Sequence, residues 1–157
     1  SMDRKILGLH KDGEGDWVAE LECFHDQHVR HNSPFFNRSW TTTDKGRESM
    51  LGQPIECGRC LQLEWPEGLE SLRCTPRFDE NSIPRGLQKD HSTKAGVWGL
   101  IHVVSGQLRY VCQTPVEREM LLDADSKGII PPGLLHDVEA QGDVCFYVEF
   151  LRGLASN

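Results

Sequence analysis

PPGLLHDVE, residues 131–139, places a histidine directly after a Pro-Pro-Gly turn and before a strand-like run. A turn of this kind reverses the chain at the end of a β-barrel, and the next strand then begins with its histidine, His136, pointing inward. On both sides of it, short β-like segments follow one another with turn signals and no intervening helix. Many short strands in this arrangement indicate a mainly β fold, a sandwich or small barrel, rather than βαβ units.

The remaining strand predictions follow from the same alternation of apolar runs and turn residues. Ser105-Gly106 is interpreted as a tight turn between two of these strands. The predicted strands are GVWGLIHVV (96–104), QLRYVCQ (107–113), EREMLLD (117–123), KGIIP (127–131), HDVEA (136–140) and DVCFYVEFL (143–151).

Glu149 lies in the last of these segments, which we predict to be buried on both faces. A carboxylate there needs a partner, because burying an unpaired charge is very costly. His91, His136 and Glu149 make a two-histidine, one-carboxylate set that suits Zn²⁺, Fe²⁺, Mn²⁺ or Ni²⁺, which predicts a mononuclear divalent metal in the barrel. The alternative is a hydrogen-bonded pair of Glu149 with Arg109 or His136, without metal. His102 is predicted to point outward.

Three further residues are expected to line a ligand pocket in the barrel. Trp98 would form a wall of the pocket, and Lys94 or Arg109 would attract the charge of a small anionic or oxidised ligand.

The motif Pro-x-Gly-x-x-His, ending at His136, resembles the second signature of the cupin superfamily. Residues 66–152 as a whole resemble the domain found at the N-terminus of TehB-type tellurite-resistance proteins and in YeaR-like proteins. This resemblance implies a cupin-like β-barrel or jelly roll and an association with tolerance to toxic oxyanions or nitrosative stress. It does not imply methyl transfer, because the chain has no βαβ unit with a glycine-rich loop. The residues that carry it are TPRFDENSIPRGL (75–87), HSTKAGVWG (91–99), Val103, Gly106, Leu108, PPGLLH (131–136) and VEF (148–150).

The first part of the chain has a different character. KILGLH (5–10) and DWVAELE (16–22) flank a loop with two glycines, which predicts a β-hairpin. TTDKGRESMLG (42–52) predicts one short helix, capped by Thr43 or Asp44 and ended by Gly52.

Cysteines and histidines are concentrated in this first part. Cys57-Gly-Arg-Cys60 is a Cys-x-x-Cys knuckle whose two thiolates can reach one tetrahedral ion. Cys23 and His25 share one face of an extended segment, and His28 follows closely, so four of these five residues are predicted to hold a structural zinc ion that stabilises a small core. His25 and His28 remain alternatives for the last ligand. Solvated histidines beside unrelated thiols, or a redox dithiol, are the competing interpretations.

The run ILGLHKDGEGDWVAELEC (6–23) with H-x-Q-H-V-R-H (25–31) and Cys-x-x-Cys (57–60) resembles a small bacterial family of unknown function, some of whose members are labelled pressure-regulated proteins. The resemblance covers residues 2–62. That family commonly has glycine where this chain has Phe24. Together the two resemblances predict a Cys/His unit at residues 1–64 and a cupin-like domain at residues 65–157.

The composition of the chain limits the kinds of partner that it is expected to bind. The 157 residues carry a formal net charge of −7, which argues against nucleic-acid binding because phosphate contacts need clustered Lys and Arg. No apolar run approaches the roughly 18–20 residues that cross a bilayer, and SMDRKILG shows no signal-peptide apolar region, so we expect a cytoplasmic protein without membrane contact. Disulfides are therefore not expected among the six cysteines.

Three functions are compatible with these patterns. The leading hypothesis is a metal-binding, cupin-like protein of a stress or tellurite-resistance response that binds a small anion. The second is a metal-dependent cupin oxygenase or isomerase, since a two-histidine, one-carboxylate site leaves coordination positions open; whether the chain is an enzyme stays open at this point. The third is a regulatory or metal- and redox-sensing interaction module. The cupin resemblance also implies a homodimer.

Overall fold

The computed structural model describes residues 2–153, so residue 1 and residues 154–157, at the ends of the two predicted units, lie outside the described residues. Within the described range the chain is mainly β, as predicted, with ten strands in two sheets. None of the described helices is long and apolar enough to cross a membrane.

The first sheet belongs to the Cys/His part of the chain. Its central strands form the predicted hairpin, in which the carboxylate of Asp12 accepts hydrogen bonds from the backbone N–H groups of Glu14 and Asp16 and so shapes the connecting loop. The four strands are β1 (Asp3–Lys11), β2 (Trp17–Leu21), β3 (Asp26–His28) and β4 (Pro54–Glu56), in the order β3-β2-β1-β4.

A 3-10 helix (Ser39–Thr42) and two α-helices complete this part. Helix α1 (Asp44–Met50) is capped by Thr43, whose hydroxyl accepts a hydrogen bond from the N–H of Gly46 at 3.0 Å, so the predicted cap is confirmed. The helix ends just before Gly52, which adopts a φ of +81°. Helix α2 (Gly58–Leu61) is a single turn that starts at the Cys-x-x-Cys knuckle.

The second sheet is built around two long antiparallel strands, which pair from Trp98 with Leu151 at one end to Cys112 with His136 at the other. Two strands extend the sheet from each of them. A one-turn helix, α3 (Arg85–Gln88), lies in the connection that leads into the first of the two long strands. The strands are β5 (Leu69–Cys74), β6 (Phe78–Asp79), β7 (Trp98–Cys112), β8 (Arg118–Leu122), β9 (Gly128–Ile130) and β10 (His136–Gly153).

Strands β7 and β10 are each continuous where the sequence predicted two separate strands. Segments 96–104 and 107–113 form one strand, and so do 136–140 and 143–151. Gly106 does not turn the chain; its φ is +75°, and a Cβ there would lie 2.0 Å from the carbonyl oxygen of Asp143 on the paired strand. Register shifts in β10 between Ala140 and Val144 and between Cys145 and Phe146 mark the irregularities at which such strands bend. The result is the curled sheet of the predicted cupin-like fold.

One hydrophobic core runs through both parts. Trp98, Tyr110 and Phe146 are its largest buried side chains, and it extends without a gap to Ile6 and Leu21 of the first sheet. The Cys/His part is therefore packed on the cupin-like part and shares its core. A boundary between residues 64 and 65 stays a prediction.

Candidate metal centre

Two short segments bring four ligand side chains together. Cys23 and His25 lie in the turn between β2 and β3, and Cys57 and Cys60 flank the start of α2. The N–H of Cys60 donates to the Cys57 sulfur at 3.4 Å, as expected for a knuckle that wraps around its first thiolate. All four residues are buried, and their ligand atoms lie within 4.8 Å of one another.

Distances within the cluster match a tetrahedron. Nδ1 of His25 lies 3.6 Å from the sulfur of Cys23, 3.3 Å from that of Cys57 and 3.5 Å from that of Cys60. The sulfurs of Cys23 and Cys57 are 3.8 Å apart. Zinc bonds of about 2.3 Å to sulfur and 2.0 Å to nitrogen give tetrahedral edges of about 3.8 Å between sulfurs and about 3.5 Å between sulfur and nitrogen. The donor set therefore fits one zinc-sized ion.

A hydrogen bond on the side of the ring away from the sulfurs fixes the orientation of the His25 imidazole. Nε2 of His25 donates to the backbone carbonyl of Glu64 at 2.7 Å, which leaves the lone pair of Nδ1 directed at the three sulfurs. His28, the other predicted candidate, is exposed and binds the carboxylate of Asp12 at 3.0 Å through its own Nε2. The structure thus places His25 in the cluster and His28 outside it, because the β2–β3 register pairs His28 with Val18 at the far end of the hairpin.

Protonation in the cluster reflects the crowding of the thiols. Burial lowers the pKa of His25, but hydrogen bonds and charge from Cys23 and Cys57 outweigh it and raise the pKa to about 9. Hydrogen bonds from Cys23 and Cys60 lower the pKa of Cys57, while hydrogen bonds with Cys23 and Cys57, together with burial, raise the pKa of Cys60. Protons are therefore shared among these groups, and a divalent cation, which binds thiolates and neutral imidazole, would displace them.

Phe24 separates two of the ligands and adopts a φ of 74°, a left-handed conformation that is rare outside glycine. Its ring packs on Gly68 and Gly153, where a Cβ would lie 2.9 Å and 2.1 Å from the ring carbons. The glycine that the resembling family has at this position needs no such packing. Here the aromatic ring anchors the ligand turn on the second sheet.

His91 and His136, predicted to bind metal in the barrel, do lie side by side. Their backbones exchange two hydrogen bonds of 2.9 Å, and Nδ1 of His91 is 3.4 Å from Nε2 of His136. Nδ1 of His136 donates to the carbonyl of Leu134 at 3.0 Å. Burial lowers the pKa of His136 to about 4 and also lowers the pKa of His91, so both rings are neutral near pH 7.

Glu149 does not join these histidines, which corrects the predicted barrel site. Its side chain lies on the opposite face of β10 from His136 and binds Nε2 of His102 at 2.9 Å. Burial raises the pKa of Glu149, but hydrogen bonds from Ser71 and His102 outweigh it, and the pKa is lowered. Among the described residues, His91, His136 and Glu149 do not form a group that could hold a metal, so the predicted barrel metal is not supported. The partner of Glu149 is His102, not Arg109 or His136.

The predicted ligand pocket is not assembled either. Trp98 is fully buried between the two sheets, with its ring edge-on to His25 at 5.3 Å. Lys94 is exposed in the loop before β7, and Arg109 binds Glu119 at 2.6 Å on the surface. A cavity of about 180 Å³ beside Arg109 is also lined by acidic side chains, including Asp137, so its lining does not favour an anion.

Sequence reasoning missed one further group. The carboxylates of Asp12, Glu14 and Asp16 converge in the hairpin loop, where an alternating Asp-x-Glu-x-Asp pattern was the available signal. Asp12 already accepts hydrogen bonds from the loop backbone and from His28, and Glu14 is exposed while the other two are half-buried. These contacts account for the cluster as a feature of the loop.

Comparisons with known proteins match two separate stretches of the chain. Residues 7–64 match the family of unknown function DUF3565, and residues 73–148 match the TehB-like domain. Comparison with curated proteins gave no significant match.

Among solved structures, the chain is similar to TehB from Haemophilus influenzae, with 25% identity, a TM-score of 0.52, and coverage of 55% of this chain and 32% of that chain. It thus spans about a third of that TehB chain. A protein from E. coli strain K12 gives 24% identity, a TM-score of 0.51, and coverage of 57% of this chain and 96% of that chain, and it shares the fold. Both predicted resemblances are confirmed, since residues 7–64 match DUF3565 and residues 73–148 match the TehB-like domain, and these two stretches are called the DUF3565 segment and the TehB-like domain.

Proposed function

We propose that Cys23, His25, Cys57 and Cys60 hold one Zn²⁺ ion that stabilises the DUF3565 segment on the TehB-like domain. The observation that carries this proposal is that four of the sulfur and nitrogen separations, at 3.3–3.8 Å, are close to those of a tetrahedral zinc site. The carbonyl of Glu64 behind the imidazole supports it, since zinc-bound histidines usually donate their other N–H to such a partner.

Elemental analysis tests this proposal. Protein purified without chelators or affinity-column metal should contain about one equivalent of zinc, as one closed four-ligand site requires. Cys57→Ser should lose it, because a serine hydroxyl is a poor zinc ligand. Cys74→Ser is the matched control, since Cys74 is an exposed thiol on β5. Wild-type protein without metal, or Cys57→Ser with undiminished zinc, would refute the site.

We further propose that the protein acts in tolerance to a toxic oxyanion such as tellurite. The match of residues 73–148 to the TehB-like domain supports this role. The small anionic ligand remains part of the proposal, although Lys94, Trp98 and Arg109 do not share a cavity that would bind it. The proposed cellular setting is the cytoplasm.

Growth in the presence of tellurite tests this role. Cells that lack the gene should become sensitive, and wild-type protein or Cys74→Ser should restore growth. Cys57→Ser should restore it poorly, because the unit that depends on zinc would be lost. Equal tellurite sensitivity with and without the gene would reject the role in tolerance and leave the zinc site unaffected.

A further inference from the structure

Arg4 occupies a core position on β1. Arg4 and Ile6 of this strand are buried, as is Met2 just before it, whereas Asp3 and Lys5 face solvent. Only 9% of Arg4 is exposed. Guanidinium groups are almost never buried to this extent without a partner, because removing a charge from water is expensive.

The partners of this guanidinium are unusual. One of its terminal nitrogens, Nη2, lies 2.8 Å from the carbonyl oxygen of Pro132 and 3.6 Å from the sulfur of Cys60. The same nitrogen lies 3.9 Å from the sulfur of Met2, and Nε has no hydrogen-bond partner within residues 2–153. No carboxylate of the described residues forms an ion pair with Arg4. A negative charge beside Arg4 can therefore come from the thiolates of an occupied metal site.

Charge counting connects this cation with the metal site. Three thiolates and a neutral imidazole around one divalent ion carry a net charge of −1. A buried net charge of −1 needs a counter-charge, and the guanidinium beside Cys60 supplies one. The metal complex and Arg4 thus form a neutral group inside the shared core, and neither is balanced without the other.

The second partner of Arg4 lies in the other part of the chain. Pro132 belongs to the turn PPGLLH, which opens β10 and leads to His136. Gly133 and Leu134 of the same turn are held by hydrogen bonds from their N–H groups to Thr93 and Pro131. Arg4 therefore links the metal ligand Cys60 directly to the turn at the end of the barrel.

We propose that Arg4 balances the charge of the zinc centre and, through the carbonyl of Pro132, couples zinc binding to the order of the barrel turn at residues 131–136. This inference rests on the proposed zinc site and adds to it a connection between the two parts of the chain. Zinc binding in the DUF3565 segment then changes the order of a turn in the TehB-like domain.

The first measurement is zinc affinity, by competition with a chromophoric chelator. Arg4→Met keeps the length of the side chain and removes its charge, so we expect affinity to fall about tenfold or more, as for the loss of a hydrogen bond to a charged group in a buried site. Arg59→Met is the matched control. Arg59 lies inside the knuckle, but it is exposed and binds Glu64, so its removal should change affinity by about twofold at most.

The second measurement is hydrogen exchange at the amides of Gly133 and Leu134. In the wild-type protein and in Arg59→Met, zinc removal should accelerate this exchange. In Arg4→Met, exchange should be fast already with zinc bound and should not respond to its removal. A purely structural role of Arg4 would lower stability equally with and without zinc and would leave the response to zinc intact.

Arg4→Lys decides the question if Arg4→Met does not fold. Lysine keeps a positive charge near Cys60, but its shorter side chain does not reach the carbonyl of Pro132. Zinc should therefore be retained, while hydrogen exchange at the amides of Gly133 and Leu134 becomes faster. Unchanged zinc affinity in Arg4→Met, or a wild-type exchange response in Arg4→Lys, would overturn the coupling. Failure of the wild-type protein to bind zinc would instead reject the proposed function.

Discussion

Trp98 donates its indole N–H to the backbone carbonyl of Cys23 across 2.9 Å. This hydrogen bond joins the first residue of β7 to the first ligand of the metal centre. The same indole packs edge-on against His25 and Trp65, so one side chain of the TehB-like domain supports the ligand turn from beneath. The metal centre is therefore held by both parts of the chain.

Replacing Trp98 by phenylalanine should destabilise the protein by about 1–3 kcal/mol, because the buried carbonyl of Cys23 loses its donor. Denaturant unfolding of the zinc-loaded protein measures this change. Trp40→Phe serves as the control, since the indole N–H of Trp40 makes no hydrogen bond within residues 2–153 and should cost less. Equal losses for the two variants would show that ring size, and not the hydrogen bond, matters.

Gly153→Ala should loosen the contact between the two parts. The new Cβ would lie 2.1 Å from the Phe24 ring, which cannot move freely because its backbone is held at a φ of 74°. Overpacking of this kind costs about 1–3 kcal/mol, measurable by thermal or denaturant unfolding. Gly86→Ala, at a position with open space around it, should leave stability nearly unchanged. A tolerated alanine at position 153 would contradict the packing of Phe24.

The two histidines that the sequence left as alternatives give opposite predictions. His25→Ala should abolish stoichiometric zinc binding, because Nδ1 of His25 completes the tetrahedron. His28→Ala should keep about one equivalent of zinc, since its side chain is exposed and binds Asp12. Metal analysis of the two purified variants distinguishes them, and zinc loss in His28→Ala alone would reverse the assignment.

His136 should make stability depend on pH. Its pKa in the folded protein is about 4, below the ordinary value of 6.5, because burial disfavours the charged ring. Above pH 6.5 the ring is neutral in both the folded and the unfolded protein, and the free energy of unfolding is not reduced. As pH falls from 6.5 towards 4, only the unfolded protein binds the proton, so the free energy of unfolding falls by about 3 kcal/mol, at about 1.4 kcal/mol per pH unit. Wild type should lose this free energy between pH 6.5 and 4, whereas His136→Leu should not. The unfolding free energy of wild type minus that of His136→Leu should therefore decrease over this interval. Parallel profiles for wild type and His136→Leu would show that His136 keeps its ordinary titration.

Glu149→Gln tests the correction of the barrel site. The carboxylate binds His102 on the outer face of β10, so zinc content should stay at about one equivalent and stability should fall by about 1 kcal/mol or less. Metal analysis and unfolding measure the two quantities. A second equivalent of metal in the wild-type protein that disappears in Glu149→Gln would restore the site predicted from the sequence.

Local chemistry explains which predictions held. The hairpin, the Thr43 cap and the Cys57–Cys60 knuckle each depend on residues close in sequence, where turn and capping preferences act directly. The choice between His25 and His28 depends on the register of β2 with β3 and on the position of Glu64. Neither is visible in the spacing of ligands, so the sequence could not decide it.

The barrel site failed for a reason of strand parity. His136 and Glu149 lie on the same strand, and the buried residues of β10 from His136 to Val148 all fall on even numbers, so the odd-numbered Glu149 faces outward. Treating β10 as two separate strands, the second buried on both faces, removed this constraint. Arg4 was missed because a single arginine near the start of a chain carries no signal until its strand is placed in the core.

The position of β10 has a consequence for synthesis on the ribosome. This strand pairs with β5, β6 and β7, so the TehB-like sheet cannot close until residues 136–153 have emerged. All four metal ligands precede residue 61, and their strands pair mostly with near neighbours in sequence. The proposed zinc site can therefore form on the nascent chain before the second sheet is complete, and that sheet then folds against an already ordered segment.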